Sequence, residues 1–294
     1  MEDRRVIDLV IEARVREVAG FSVRRTLPSL HRRAVGPFVF VDHFGPVAFP
    51  PGTSMDVKPH PHIGLATVTY LFEGEIIHRD SIGSYQSIRP GDVNWMTAGR
   101  GIAHSERGTD LQKLEGGRSH GLQLWVALPI ANEGEEPTFS HHPEESLPKL
   151  RVQENDLTVI AGSAYGVTSP VEVASPLFYV DVSLHGSLTL PNAEQERAAY
   201  VVSGSISIED RVFGAGTMIV FQPKKEAALR VSAPGEEAHV MLLGGAKLDG
   251  ERHIWWNFVA SSKEKIENAK RDWKEGRFEK VVGDETEFVP LPEH

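Results

Sequence analysis

Two short stretches carry side chains able to hold a metal ion. In HPHIGLATVTYLFEGE (His60–Glu75), His60 and His62 stand one residue apart at the head of a β-like run. In WMTAGRGIAHSERG (Trp95–Gly108), His104 and Glu106 repeat the same i, i+2 spacing. Alternate residues of a strand point to one face, so each pair projects together. Two such strands can set three imidazoles and one carboxylate around a single ion. That donor set suits iron(II), manganese, cobalt, nickel or zinc and does not choose among them. Four protein ligands leave octahedral positions open for water, oxygen or an oxygen-donor substrate, which favours chemistry over a closed structural site.

With 13 histidines in 294 residues, an HxH pair alone carries little weight. An HxE pair also occurs at His142/Glu144, in a polar stretch where solvated side chains are expected. The 60/62 and 104/106 pairs differ because both adjoin apolar β-segments, where polar groups are costly to bury unless bonded or coordinated. His78, in IIHRDS, reads equally as a hydrogen-bonded strand residue or as a group that orients a metal ligand. His43 is expected to make a turn contact, and His120, His141, His142 and His294 to face solvent. Asp42 and Asp80 are expected to fix loops by accepting from backbone N–H groups.

Short segments such as PFVFVDHF, LATVTYLF, GLQLWVALP and LFYVDVSL alternate or run apolar between Gly/Pro turns. Strands this short and evenly spaced predict jelly-roll barrels. The stretch Ala131–Lys149, rich in proline and carboxylate, reads as a linker. The expected domains are therefore 1–133, a linker at 134–149, and 150–294. One helix is predicted near 262–275, with Ser261 and Glu264 as its capping box and Gly276 at its end. The halves also resemble each other: TYLFEGEI (Thr69–Ile76) matches AYVVSGSI (Ala199–Ile206) at an offset of 130 residues, and Gly91 falls on Gly216 at an offset of 125. These offsets put Leu190 and Asn192 over His60 and His62, and Leu229 and Val231 over His104 and Glu106. The second half is thus expected to keep the scaffold and lose the ligands.

A net charge of −10 disfavours a phosphate-binding surface, so direct nucleic-acid binding is not expected. Without cysteine, disulfides, thiolate metal sites and cysteine nucleophiles are excluded. No apolar run has signal-peptide length or the ~20 residues of a membrane span, so a cytoplasmic protein without membrane contact is expected.

Together GPFVFVDHFGP (Gly36–Pro46), HPHIGLATVTYLFEGEIIHRDS (His60–Ser81), RPGDVNWMTAGRGIAHSE (Arg89–Glu106) and QLWVALP (Gln123–Pro129) closely resemble the pirins of the cupin superfamily. The resemblance implies an all-β bicupin: two tandem cupin barrels with a short C-terminal helix. It also implies iron(II) at His60, His62, His104 and Glu106, in the N-terminal barrel alone. A flavonol dioxygenase using O2 on a quercetin-like substrate is one implied activity, with Glu106 as general base. Trp95, Met96 and Phe72 would then be candidate apolar walls. An iron-redox regulator of a protein partner, such as a transcription factor or metabolic enzyme, is the other, and a metal-bound scaffold a third. Pirins commonly read HPHRGFET, whereas this chain carries Ile63, Leu65 and Ala66, so its difference in substrate is expected there.

Overall fold

The computed structural model describes residues 5–192 and 195–293, so His294 lies outside it. In chain order the first strands are β1 (Ile7–Glu12), β2 (Arg14–Val18), β3 (Phe21–Leu27), β4 (Phe38–Phe49), β5 (Asp56–His62) and β6 (Leu65–Glu73). Next come β7 (Ile76–Asp80), β8 (Tyr85–Ile88), β9 (Val93–Thr97), β10 (Ile102–Arg107), helix α1 (Asp110–Glu115), β11 (Gly117–Ala127) and β12 (Thr138–His142). The later strands are β13 (Lys149–Val152), β14 (Asn155–Ala164), β15 (Val167–Thr168), β16 (Leu177–Leu184), β17 (Ser187–Thr189), β18 (Glu196–Ser203) and β19 (Ser205–Ile208). The chain continues through β20 (Arg211–Gly214), β21 (Thr217–Phe221), β22 (Ala228–Val231), β23 (Ala238–Gly245), β24 (His253–Trp255), β25 (Phe258–Ala260) and helix α2 (Lys263–Lys274).

These elements form two cupin barrels of like topology. One pairs a sheet of order β12-β9-β6-β11-β4-β3-β2 with a four-stranded sheet β5-β10-β7-β8. The other pairs β1-β21-β18-β23-β16-β14-β13 with β17-β22-β19-β20. Strand for strand, β5, β10, β7 and β8 occupy the slots of β17, β22, β19 and β20, so the sequence repeat is a structural one. The interiors differ. The second barrel is filled by one apolar cluster that includes Leu190, Ile206, Ile208 and Leu229. In the first, Phe21, Phe44, Leu71, Ile76 and Ile88 pack one part of the interior. Histidines and a carboxylate occupy another.

The partition of the chain differs from the sequence expectation of 1–133, 134–149 and 150–294. The first compact unit joins Val15–Val23, Val41–Glu144 and everything from Leu248 onward; the second joins the N-terminal stretch ending at Arg14 with Arg24–Phe40 and Glu145–Lys247. Long-range pairing is the reason. Strand β1 adds to β21 of the second barrel, with Val10 opposite Ile219. In the expected linker, β12 pairs with β9, with Phe139 opposite Met96. The ribbon β24–β25 and α2 return to the first barrel, where Ile63, Phe258, Ala260, Ile266 and Ala269 form one buried cluster.

Two helix details also depart from expectation. The cap of α2 is Ser262, whose hydroxyl accepts from Lys265 N, because Ser261 instead donates to the buried Glu133 carboxylate at 2.8 Å. Helix α1 was not expected; it buries no residue, its Leu111 and Leu114 lying exposed, but Thr109 and Gln112 form a capping box. Among the described residues no helix is long and apolar enough to cross a membrane.

Gly64 sets the turn that delivers β5 into β6. Its φ is +66°, and an added Cβ would collide with the Val259 carbonyl oxygen. Gly52 has φ +89° but open space around the Cβ position. Both alanine variants carry left-handed backbone strain of about 1–2 kcal/mol, and Gly64→Ala alone adds the backbone collision. Urea titration should therefore place Gly64→Ala below Gly52→Ala by about 2 kcal/mol or more; equal losses would show that the ribbon yields freely.

Candidate metal centre

Strands β5 and β10 are antiparallel neighbours, with His60 opposite His104 and His62 opposite Ile102. The register converts two sequence pairs into one cluster. One ring nitrogen from each of His60, His62 and His104 lies within 4.8 Å of the others, and all three residues are buried. Ring centroids are separated by 5.0 Å (His60–His62), 4.4 Å (His60–His104) and 5.1 Å (His62–His104). Glu106 stands outside this three-nitrogen group. Between the His60/His104 and Val57/Glu106 pairs β5 carries one extra residue, so Glu106 has no histidine of β5 opposite it, while His104 and Glu106 keep their i, i+2 step against Asp80 and His78 of β7.

Each imidazole has an outward partner. His60 Nδ1 is 2.8 Å from the Lys58 carbonyl, and His62 Nδ1 is 3.0 Å from the Asn257 carbonyl on the returning ribbon. A carbonyl can only accept, so Nδ1 carries the proton in both rings and Nε2 keeps its lone pair. His104 Nε2 is buried with no hydrogen-bond partner. A buried lone pair without a donor is what a coordinated metal would occupy. The residues present therefore fit a divalent metal: neutral nitrogen donors, with a carboxylate beside them.

The electrostatics agree. Burial lowers His60 to about 4; the Lys58 carbonyl opposes this and His78 adds to it. Burial, then the neighbouring imidazoles, hold His62 and His104 well below the ordinary histidine value, with the Asn257 carbonyl opposing for His62. Burial raises Glu106 above the usual carboxylate range, against the pull of His78 and of the Thr69 hydroxyl. That hydroxyl donates to Glu106 Oε1 at 3.0 Å, and the Gln123 amide lies 2.9 Å from it. Thr69 and Gln123 are cross-strand partners, inward-facing positions that the alternation of TVTY and GLQLW could have disclosed.

The expected walls divide. Met96 is opposite Thr67 and so shares the inward face of Thr69, whereas Trp95 is opposite Val68 and faces away. Phe72 meets Tyr70, His43 and His120 instead. Trp125, not singled out from sequence, lies 5.3 Å from His62, ring to ring. Ile63 packs under the ribbon and α2, so this departure from the family motif is covered by the returning segment. His120 and His141, expected to face solvent, are half-buried: His120 stacks on the buried His43, and His141 bonds Asn94. His142 is likewise half-buried, 3.2 Å from the Ser140 hydroxyl. Asp80 does fix a loop, accepting from Ile82 N and Ser84 N.

The depressed imidazoles make metal-free stability depend on pH. In the unfolded chain they take up protons near 6.5, whereas His60 in the fold does so only near 4. Their contribution is complete above about pH 6.5 and is lost as pH falls toward 4. Glu106, raised in the fold, acts in the opposite sense, one group against three. The urea midpoint of metal-free protein should therefore fall between pH 7.5 and 5, and His104→Leu should flatten that slope; an unchanged slope would refute the assignment.

Known proteins resemble this chain over nearly its whole length. A family model described as Pirin matches residues 20–126, and one described as Pirin C-terminal cupin domain matches residues 179–279. A pirin-like protein of Caulobacter vibrioides is 50% identical over 98% of this chain and 100% of its own length. A Pseudomonas aeruginosa protein, whose name proposes a quercetin 2,3-dioxygenase activity, is 37% identical over 96% of this chain and 90% of its own. The crystal structure of an Acinetobacter baumannii quercetin 2,3-dioxygenase superposes with a TM-score of 0.90 at 35% identity, covering 98% of this chain and 96% of that one. The chain belongs to the pirin family, as a bicupin with a histidine cluster in its N-terminal barrel.

Proposed function

We propose that this protein is a mononuclear iron dioxygenase that uses O2 on a flavonol-type substrate such as quercetin, with the metal held by His60, His62, His104 and Glu106. The observation that carries the reading is the partnerless, buried Nε2 of His104, one of three imidazoles whose ring nitrogens approach within 4.8 Å of one another. The naming of the Pseudomonas and Acinetobacter relatives supports the substrate class.

A bound redox-active metal would supply Lewis acidity toward an oxygen donor and a route for electrons to O2. The chain's own groups do the rest. The Lys58 and Asn257 carbonyls fix the orientation of two imidazoles. Burial raises Glu106, which makes its carboxylate a better proton acceptor for a substrate hydroxyl. Thr69 holds Oε1, leaving Oε2 to take that proton. Trp125 beside His62 contributes apolar surface that keeps water from the cluster.

Metal analysis of the wild-type chain beside His104→Ala tests the site: one equivalent is expected in the former and a large loss in the latter. Full occupancy of His104→Ala would show the ligands are wrongly assigned. The iron-loaded protein should consume O2 with quercetin mole for mole, since a dioxygenase places both oxygen atoms in its substrate. No uptake with any of several flavonols would sink the dioxygenase reading.

Glu106→Gln retains three imidazoles and loses the proton acceptor. It should still bind metal while oxygen uptake falls by about 10²–10⁴-fold; wild-type turnover would remove Glu106 from the chemistry.

A further inference from the structure

His78 lies on β7 and His104 on the adjacent β10, where Glu106 is opposite His78 and His104 opposite Asp80. The Nδ1 atoms of the two rings are 3.4 Å apart. His78 Nε2 is 3.0 Å from Asp80 Oδ2, and His78 and Asp80 are both buried. Asp80 is itself clamped, its Oδ1 accepting from Ile82 N at 3.1 Å and Ser84 N at 2.8 Å. Phe139 of β12 stacks on the His78 ring at 4.3 Å and 17°.

A neutral imidazole has one N–H and one lone pair. The Asp80 carboxylate accepts, so the His78 proton sits on Nε2 and its Nδ1 presents a lone pair. His104 then donates from Nδ1, and its Nε2 is left with a lone pair. The reverse order would bury an N–H at His104 Nε2, an atom that has no partner. Such an orphaned donor is disfavoured.

We propose that His78, tethered by Asp80, is a positioning residue that selects the tautomer of His104 and holds its Nε2 lone pair toward the histidine cluster. This rests on the reading of His104 as a metal ligand. The second barrel supplies an internal comparison. With Leu229 and Val231 in the places of His104 and Glu106, the strand register sets Ile206 opposite Val231 as it sets His78 opposite Glu106, so His78 falls on Ile206 and His104 on Leu229; both are buried in the apolar core. Where the ligand is gone, so is the ring behind it. A histidine kept only to fill β7 would not need to disappear together with His104.

Two substitutions separate this role from packing. His78→Phe keeps the aromatic stack on Phe139 and removes the acceptor. His78→Asn gives up the stack and keeps an oxygen near the Nδ1 position. Cobalt(II) affinity of the full-length protein would be measured by chelator competition, with the visible d–d spectrum recorded at saturation. We expect His78→Phe to lose about 10–100-fold in affinity with an altered spectrum, and His78→Asn to stay within about threefold of wild type. Wild-type affinity in His78→Phe, or a weaker His78→Asn than His78→Phe, would overturn the proposal. If His78→Phe does not fold, a loss of about tenfold or more in His78→Asn overturns it. His104→Ala separates the two failures: wild-type affinity there refutes the ligand reading itself, whereas its loss beside an unchanged His78→Phe refutes only the positioning role.

Discussion

The N-terminal barrel must bury three imidazoles side by side without charging them. Protonated rings at 4.4–5.1 Å would repel one another where little water remains to screen them. The fold meets this constraint by giving each ring a partner on its outward side: a carbonyl for His60, a carbonyl for His62, a second imidazole for His104. The inward nitrogens are left as lone pairs. Strand register, the returning ribbon and the Asp80 loop all serve that polarity of donors outside and acceptors inside.

The second barrel shows what the scaffold becomes when the constraint is lifted. Its strands keep the same order, and its interior closes with Leu190, Ile208 and Leu229 in one continuous apolar cluster. That apolar cluster is held by burial, and two buried polar groups of this barrel, Asn155 and Arg197, bond backbone atoms instead of one another. The two copies therefore differ in what they bury, a histidine cluster in one and an apolar cluster in the other, within one topology.

Much of this was legible in the residues. The i, i+2 spacing of His60/His62 and of His104/Glu106, set beside apolar runs, identified the strands that carry the cluster, and the repeat identified the copy that lost it. What was not legible depends on backbone atoms or on distant pairing. The Asn257 carbonyl has no signature in sequence, since every residue carries one. That Phe139 belongs to a strand is decided by β9, and a proline- and glutamate-rich stretch conceals it. Ser261 and Ser262 are equivalent as caps until the buried Glu133 claims the first. Two of the three wall positions failed for a simpler reason: Trp95 and Phe72 fall on the other parity of their strands from Met96 and Thr69.

The Asn257–His62 bond also has a temporal meaning. The two residues are 195 positions apart. At ordinary synthesis rates, roughly 5–20 residues per second, the ribosome adds Asn257 about 10–40 s after His62. For that interval β5 can exist while the orientation of its second imidazole has no anchor. The full histidine arrangement described here is therefore completed late, with the arrival of the ribbon rather than with the making of the barrel strands.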